Sequence, residues 1–214
     1  MNQEILDTLA REGYFHLTGN YSQSGYNEVC KALGYLISRL EVRLDKSKRQ
    51  LVFKAEPIGL HNDSPDVDVI AWYCVTADQD QGQGATDFID TIDLELRLSK
   101  EDQVVLCGLK LHRRIRDTET FVSSAVLERV GGHYKVFFAP WLLRPGYSAE
   151  EQSALDNLRN YFDSQPKKSI RMNPGEIVIV DNHRILHGRS SISEESQRHL
   201  TRTWIKSPCS KEAR

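Results

Sequence analysis

The sequence predicts a mainly β protein with a few helices packed outside, an antiparallel sandwich or barrel. Three observations lead there. Strand-length apolar runs outnumber helical patterns, and the strongest, residues 67–75 (VDVIAWYCV), reads as a central strand. Element types change irregularly, without the strand-helix alternation that builds a doubly wound parallel sheet. Internal repeats and low-complexity linkers are absent, and the most polar interior stretch, residues 76–84, reads as a surface loop.

In order, a helix is expected over 3–12, a short strand over 13–17 and a second helix over 25–32. Strands follow at 35–44 and 51–58, divided by the polar turn 45–49 (DKSKR). Beyond the central strand, 89–109 is a mixed segment that reads as one or two helices. Residues 124–129 and 134–138 resemble a hairpin around Gly131-Gly132. The clearest helix is 148–163. Ser148 with Glu151 forms a capping box, and Ala154, Leu155, Leu158, Tyr161 and Phe162 recur at helical spacing. Two strands, 177–180 and 199–205, end the pattern.

Composition bounds the function. The 214 residues carry 28 Lys+Arg and 30 Asp+Glu, a net charge of −2, with a pI near 6.4. That length suits a single domain over 1–214 with a substantial core. Near-neutral charge without a long basic run argues against a dedicated nucleic-acid binder. No stretch approaches eighteen apolar residues, so no membrane span is expected. The first residues lack the basic start and apolar run of a signal peptide. Cys30, Cys74, Cys107 and Cys209 are scattered with no CxxC pair, which reads as reduced thiols in a cytoplasmic protein.

Two histidines stand in informative settings. His61 and Asp63, in Gly59-Leu60-His61-Asn62-Asp63, would share one face of a strand, because residues two apart point the same way. His187 follows an apolar run and an Asp181-Asn182 turn. Two histidines and a carboxylate are the composition of a facial triad, which binds Fe(II) on one side and leaves room for a co-substrate and dioxygen. A His-x-Asp pair alone equally suits the polar end of a strand. Two further features weigh against that plainer reading. Arg198 and Arg202 lead into an apolar strand, where a planar guanidinium would anchor a dicarboxylate whose other end chelates the metal. A glycine-containing loop, 82–86, ends in Thr86, whose hydroxyl would lie near the same carboxylate.

In this order the segments resemble the taurine dioxygenase and clavaminate synthase-like family of Fe(II)/2-oxoglutarate-dependent oxygenases. The resemblance rests on GYFHL (13–17), GLHND (59–63), IAWYC (70–74), the loop ending at Thr86, the late helix, DNHRILHGR (181–189) and RHLTR (198–202). It covers about residues 10–206. It implies a double-stranded β-helix, a jelly roll of cupin type, with iron held by His61, Asp63 and His187. It also implies that Arg198 pairs with the distal carboxylate of 2-oxoglutarate, helped by Thr86. Halogenating relatives replace the carboxylate ligand with a small residue; Asp63 keeps it, so hydroxylation is the expected outcome, with desaturation or cyclisation open to the same chemistry.

A small-molecule substrate is expected, an amino acid or another small carboxylate. Arg202 lies about 13 Å beyond Arg198 on an extended chain, so it would meet a substrate anion, the metal-proximal end of the co-substrate, or a surface acid. Asp66 and Asp68 would receive an ammonium or guanidinium group, or form a solvated turn. Phe137, Phe138 and Trp141 would line a pocket or fill the core. His183 suits a supporting or surface role, and Arg189 a structural one. Only about 60 residues precede His61, and the 86–181 region is modest. Any cover over the site is therefore expected to be short, or supplied by another subunit. Two competitors remain. One is a non-catalytic sandwich domain that binds a ligand or partner. The other is a cupin-type metalloenzyme without 2-oxoglutarate, which would have no use for Arg198.

Overall fold

A computed structural model describes residues 2–80, 82–115 and 118–208. Along the chain come helix α1 (Asn2–Glu12), strand β1 (Tyr14–Leu17), α2 (Gln23–Leu33), β2 (Tyr35–Val42), β3 (Ile58–His61), β4 (Val69–Thr76) and β5 (Thr86–Asp90). An insert follows, with α3 (Leu94–Arg97), α4 (Lys100–Gly108), the hairpins β6 (Lys110–Ile115)/β7 (Thr118–Ala125) and β8 (Leu127–Val130)/β9 (His133–Val136), and α5 (Ala149–Ser164). The chain closes with β10 (Lys168–Ile170), β11 (Ile177–Asp181), β12 (Ile185–Arg189) and β13 (His199–Lys206).

Two antiparallel sheets result, a five-stranded one ordered β1-β11-β4-β13-β2 and a four-stranded one ordered β10-β5-β12-β3. From β2 to β13 the chain crosses between the sheets at each step, except from β5 to β10, where residues 91–167 are inserted. This winding is the double-stranded β-helix. β4 is the central strand that its apolar run predicts. It lies between β11 and β13, and Val69, Ile70, Ala71 and Trp72 are buried.

The outer helices seal this core from both sides. α2 is fastened to the large sheet by Tyr26, whose buried hydroxyl lies 2.6 Å from Thr203 Oγ1 and 3.0 Å from the Ala71 carbonyl. α5 begins with the expected capping box at Ser148 and Glu151, and buries Ala154, Leu155, Leu158, Tyr161 and Phe162 in the insert's own cluster.

Three local readings change. Residues 51–58 are not a strand. Leu51–Phe53 is a 3-10 turn, Asp45 N donates to Phe53 O across the loop at 3.0 Å, and pairing begins only at Ile58. That apolar run covers a cavity instead of joining a ladder. Thr86 opens strand β5 instead of closing a loop, because Phe88 and Ile89 are buried in the sheet opposite β12. Strands β6 and β7 pair where the pattern predicts no element before residue 124, and the strand expected over 124–129 is split, residues 124–125 ending β7 and β8 starting at Leu127. Cys30, Cys74 and Cys107 are free thiols; the expectation for Cys209 lies outside the described residues.

β3 ends at His61, so the continuous strand expected through Asp63 is absent. Instead Asn62 turns inward, 1% exposed. Its backbone and side chain exchange hydrogen bonds with Phe138 (Asn62 N to Phe138 O 2.8 Å, Phe138 N to Asn62 Oδ1 3.1 Å). Its Nδ2 donates to Asn182 O at 2.6 Å. Asn182, fully buried between β11 and β12, accepts Asp63 N on Oδ1 at 2.9 Å and donates through Nδ2 to Ser64 O (3.1 Å) and Val67 O (2.8 Å). Asp68 anchors the same turn. Its buried carboxylate accepts from His183 Nε2 (3.0 Å), Lys206 Nζ (3.0 Å) and Ser207 N (2.9 Å).

Replacing Asn182 by Ala strands one donor and two acceptors in the interior. At about 1–3 kcal/mol for each unsatisfied group, Asn182→Ala is expected to cost about 3 kcal/mol or more, read as a lower urea midpoint at unchanged slope. Asn182→Asp keeps the volume but cannot donate to the two carbonyls, so it should rescue little. A wild-type midpoint in either variant would remove the asparagine clasp from the account.

Asp68 supplies a pH test. Burial opposes its charge, but the hydrogen bonds from His183, Lys206 and Ser207 hold the carboxyl well below the usual carboxylate range. The stabilisation is therefore complete above the unfolded value of about 3.9 and is lost as pH falls through the lower folded value. Asp68→Asn should flatten the acid decline of the urea midpoint. An equally steep decline would show that other carboxylates dominate it.

Candidate metal centre

The site lies between the two sheets, and each sheet supplies a different part. The small sheet brings the metal donors together. His61 ends β3 directly opposite His187 in β12, with their rings 4.3 Å apart. Asp63, displaced from the strand by the inward turn of Asn62, places Oδ1 3.6 Å from His61 Nε2 and 3.8 Å from His187 Nε2. One ligand atom from each residue lies within 4.8 Å of the others. The pairing of β3 and β12 shifts register beside His187. Gly188 permits the close approach there, since a Cβ at that position would stand 2.7 Å from Ile58 O.

Protonation matches the geometry. His61 Nδ1 lies 2.8 Å from Gly59 O. A carbonyl only accepts, so Nδ1 carries a proton and Nε2 is the nitrogen that faces Asp63. Burial, reinforced by neighbouring His61, pushes the His187 pKa down to about 3, so its imidazole is neutral at neutral pH. Burial opposes the charge of Asp63 as well. There the Arg202 guanidinium prevails and holds the carboxyl well below its usual range. Trp204 Nε1 (2.7 Å) and Arg202 Nη1 (3.0 Å) donate to Oδ2. Oδ1 remains nearest both imidazoles. Two imidazole nitrogens and one ionised oxygen, converging from one side, fit Fe(II).

The large sheet supplies the anion side. Trp72 of β4 sets its ring against His187, centroids 5.0 Å apart, and Leu200, Arg202 and Trp204 line the same cavity of about 840 Å³. Arg198, immediately before β13, is buried at this cavity and donates to Thr86 Oγ1 at 3.4 Å. Among the described residues its guanidinium pairs with no carboxylate. Burial, then the like charge of Arg189, pushes its pKa down to about 10, so it remains a cation at neutral pH.

His61, Asp63, His187, Thr86, Arg198 and Arg202 thus share one cavity, as the sequence predicts. Arg202 departs from its expected role. It is committed to Asp63 and lies over the Trp204 ring at 4.9 Å, so it does not offer a free cation to a substrate. Asp66 is exposed and outside the cavity lining, and Asp68 pairs with Lys206 of its own chain. Phe137 and Phe138 are core, whereas Trp141 lines the cavity, half exposed and edge-on to His61 at 4.7 Å. His183 serves Asp68, and Arg189 is structural, its Nη2 donating to the carbonyls of Lys54 and Glu56, each at 2.6 Å. His16 and His199, which show no partner in sequence, pair with Glu176 and Glu41.

Trp204 and Asn182 are the functional residues that pattern reading passes over. Trp204 had a signal. It stands two residues from Arg202 in a strand, hence on the same face. Asn182 had none, since its role depends on contacts more than a hundred residues away.

The family model for the taurine catabolism dioxygenase TauD, TfdA family matches residues 3–204. No curated protein sequence matches the chain. Among solved structures, asparagine oxygenase in complex with Fe(II), 2S,3S-3-hydroxyasparagine and succinate is similar at a TM-score of 0.77 and 16% identity, over 95% of this chain and 78% of that one. The non-heme iron oxygenase OrfP in complex with Fe and alpha-ketoglutaric acid is similar at a TM-score of 0.74 and 17% identity, over 95% and 78%. At these identities the likeness is one of fold. The family match spans nearly the whole sequence, and the chain belongs to the taurine catabolism dioxygenase TauD, TfdA family.

Proposed function

We propose that the chain, as one domain over 1–214, is an Fe(II)/2-oxoglutarate-dependent dioxygenase that hydroxylates an unactivated C–H bond of a small carboxylate-bearing metabolite, amino acids included. One observation carries this reading. A buried, unpaired guanidinium, Arg198, shares a cavity with a two-histidine, one-carboxylate donor set. When iron and co-substrate are bound, 2-oxoglutarate, O₂ and R–H become succinate, CO₂ and R–OH, with one oxygen atom going to succinate and one to the product. The similar structures carry hydroxylated asparagine in one case and, in another OrfP complex, (3S)-hydroxy-L-Arg, which favours hydroxylation and small substrates.

The chain's own residues divide the work. His61, Asp63 and His187 hold the metal on one face. Trp204 and Arg202 hold Asp63 Oδ2, Arg202 Nη1 also reaches Oδ1 at 3.2 Å, and Oδ1 is the oxygen that faces both imidazoles. Arg198, with Thr86, takes the distal carboxylate of 2-oxoglutarate and gains the counter-charge its burial demands. Asp63 occupies the position a halide would need, which favours hydroxylation over halogenation. A cupin-type enzyme without 2-oxoglutarate would leave Arg198 as an unpaired buried cation. Among the described residues no helix is long and apolar enough to cross a membrane, and ferrous iron with free thiols suits a reducing cytoplasm.

Protein loaded without oxygen with Fe(II) and 2-oxoglutarate should show a visible metal-to-ligand charge-transfer band, and His187→Ala should abolish it. No band in the wild type, or an unchanged band in the variant, would sink the oxygenase reading. Arg198→Ala should weaken 2-oxoglutarate about 100-fold in a titration of that band, the loss of charge-assisted hydrogen bonds totalling about 3 kcal/mol. Arg198→Lys should recover part of it. Wild-type affinity in Arg198→Ala would refute the assigned anchor.

A further inference from the structure

The charge on the cavity wall discriminates among carboxylate-bearing substrates, and the inference from it rests on the oxygenase reading above. Asp63 is the sole carboxylate among the described lining residues, and it is committed to Arg202, Trp204 and the metal face. Four arginines line the same space. Arg189 is engaged by the carbonyls of Lys54 and Glu56, Arg202 by Asp63, and Arg198 by the proposed co-substrate. Arg49 is left.

Arg49 stands on the loop that leads into the 3-10 turn Leu51–Phe53, exposed at the cavity mouth beside Gln50. It makes no hydrogen bond or ion pair among the described residues. Its basic neighbours on the loop are both neutralised, Lys46 by Glu194 at 2.9 Å and Lys48 by Asp45 at 3.9 Å. Arg49 is the one charged residue of this loop that borders the cavity, and no described group compensates it. Inward from it the walls are apolar, formed by Val52, Phe53, Leu40, Val42, Trp72 and Trp141.

We infer that the prime substrate is an apolar carboxylate without a free ammonium group, its carboxylate held by Arg49 at the mouth and its apolar body directed inward along Val52, Phe53 and Trp141. An ammonium beside that carboxylate would stand close to the Arg49 guanidinium, with no available carboxylate among the described lining residues to offset the like-charge repulsion. An amino acid satisfies the cavity once its amine is acylated, because an amide carries no charge. The free zwitterion does not.

All three tryptophans of the chain, Trp72, Trp141 and Trp204, line this cavity, so intrinsic fluorescence reports on its occupant. Anaerobic protein with Fe(II) and 2-oxoglutarate would be titrated with 3-phenylpropanoate, N-acetylphenylalanine and phenylalanine, and with hexanoate against norleucine. The uncharged-amine and deaminated compounds should bind at least about 10-fold tighter than the matching free amino acids. Arg49→Gln should weaken the favoured carboxylates about 10-fold, and Arg49→Lys should restore part of the affinity. Equal or tighter binding of the free amino acids, binding of none of the five, or wild-type affinity in Arg49→Gln would each overturn the inference. The charge-transfer band separates the two levels. A missing band fails the oxygenase reading, whereas a normal band with no preference for the carboxylates fails this inference alone.

Discussion

Asn62 and Asn182 join two stretches of backbone that no sheet ladder connects. One leaves β3 toward Asp63, and the other turns between β11 and β12 on the way to His187. Each carboxamide uses its oxygen as acceptor and its nitrogen as donor, and the partners are backbone groups deep in the protein. Buried amides without such partners would each cost about 1–3 kcal/mol; satisfied, they fix the geometry instead. The position of Asp63 relative to both histidines follows from this clasp, because Asp63 N hangs directly on Asn182. A metal site with one ligand on a strand pair and another on an irregular turn needs such a tie.

Electrostatics then splits the cavity into two unequal halves. On the metal side a buried carboxylate is compensated by Arg202 and takes the Trp204 indole N–H, and the adjacent His187 imidazole is neutral at neutral pH. On the co-substrate side Arg198 is buried, repelled by Arg189 and left without a counter-ion. The first half is complete as a protein structure except for a cation facing Oδ1. The second is complete only with an anion. A dicarboxylate that chelates a divalent metal at one end and meets Arg198 at the other satisfies both halves at once, which neither a lone metal nor a lone anion does. Charge and burial alone set this requirement, whatever the likeness of fold.

Much of this was legible in the residues, for identifiable reasons. Apolar runs such as β4 and the capping box of α5 are local signals, and the structure keeps them. The metal set was legible because its ligands sit in short distinctive strings. The strand argument used for His61 and Asp63 was nevertheless physically wrong. The pairing of β3 stops at His61, and the carboxylate is delivered by a turn that Asn62 anchors. The run at Leu51–Phe53 misled for the opposite reason. Its apolar side chains answer to a cavity, and a strand pattern cannot tell a sheet neighbour from a pocket wall. Arg202 shows the same blindness to distance in space, since its partner Asp63 lies on the turn after β3, far back in the chain.

The division of labour between elements also bears on how specificity is set. The metal ligands and the co-substrate anchor belong to strands or strand ends locked by register and by buried hydrogen bonds. Arg49, Gln50 and Leu51 belong to a loop closed by Asp45 N on Phe53 O and tied to the strands further on, where Arg189 holds Lys54 O and Glu56 O. Arg49 itself makes none of these ties. Changes in the strands disturb the iron and the co-substrate together. On the proposed reading, substrate preference is set on this loop, where Arg49 is the one charged residue that borders the cavity.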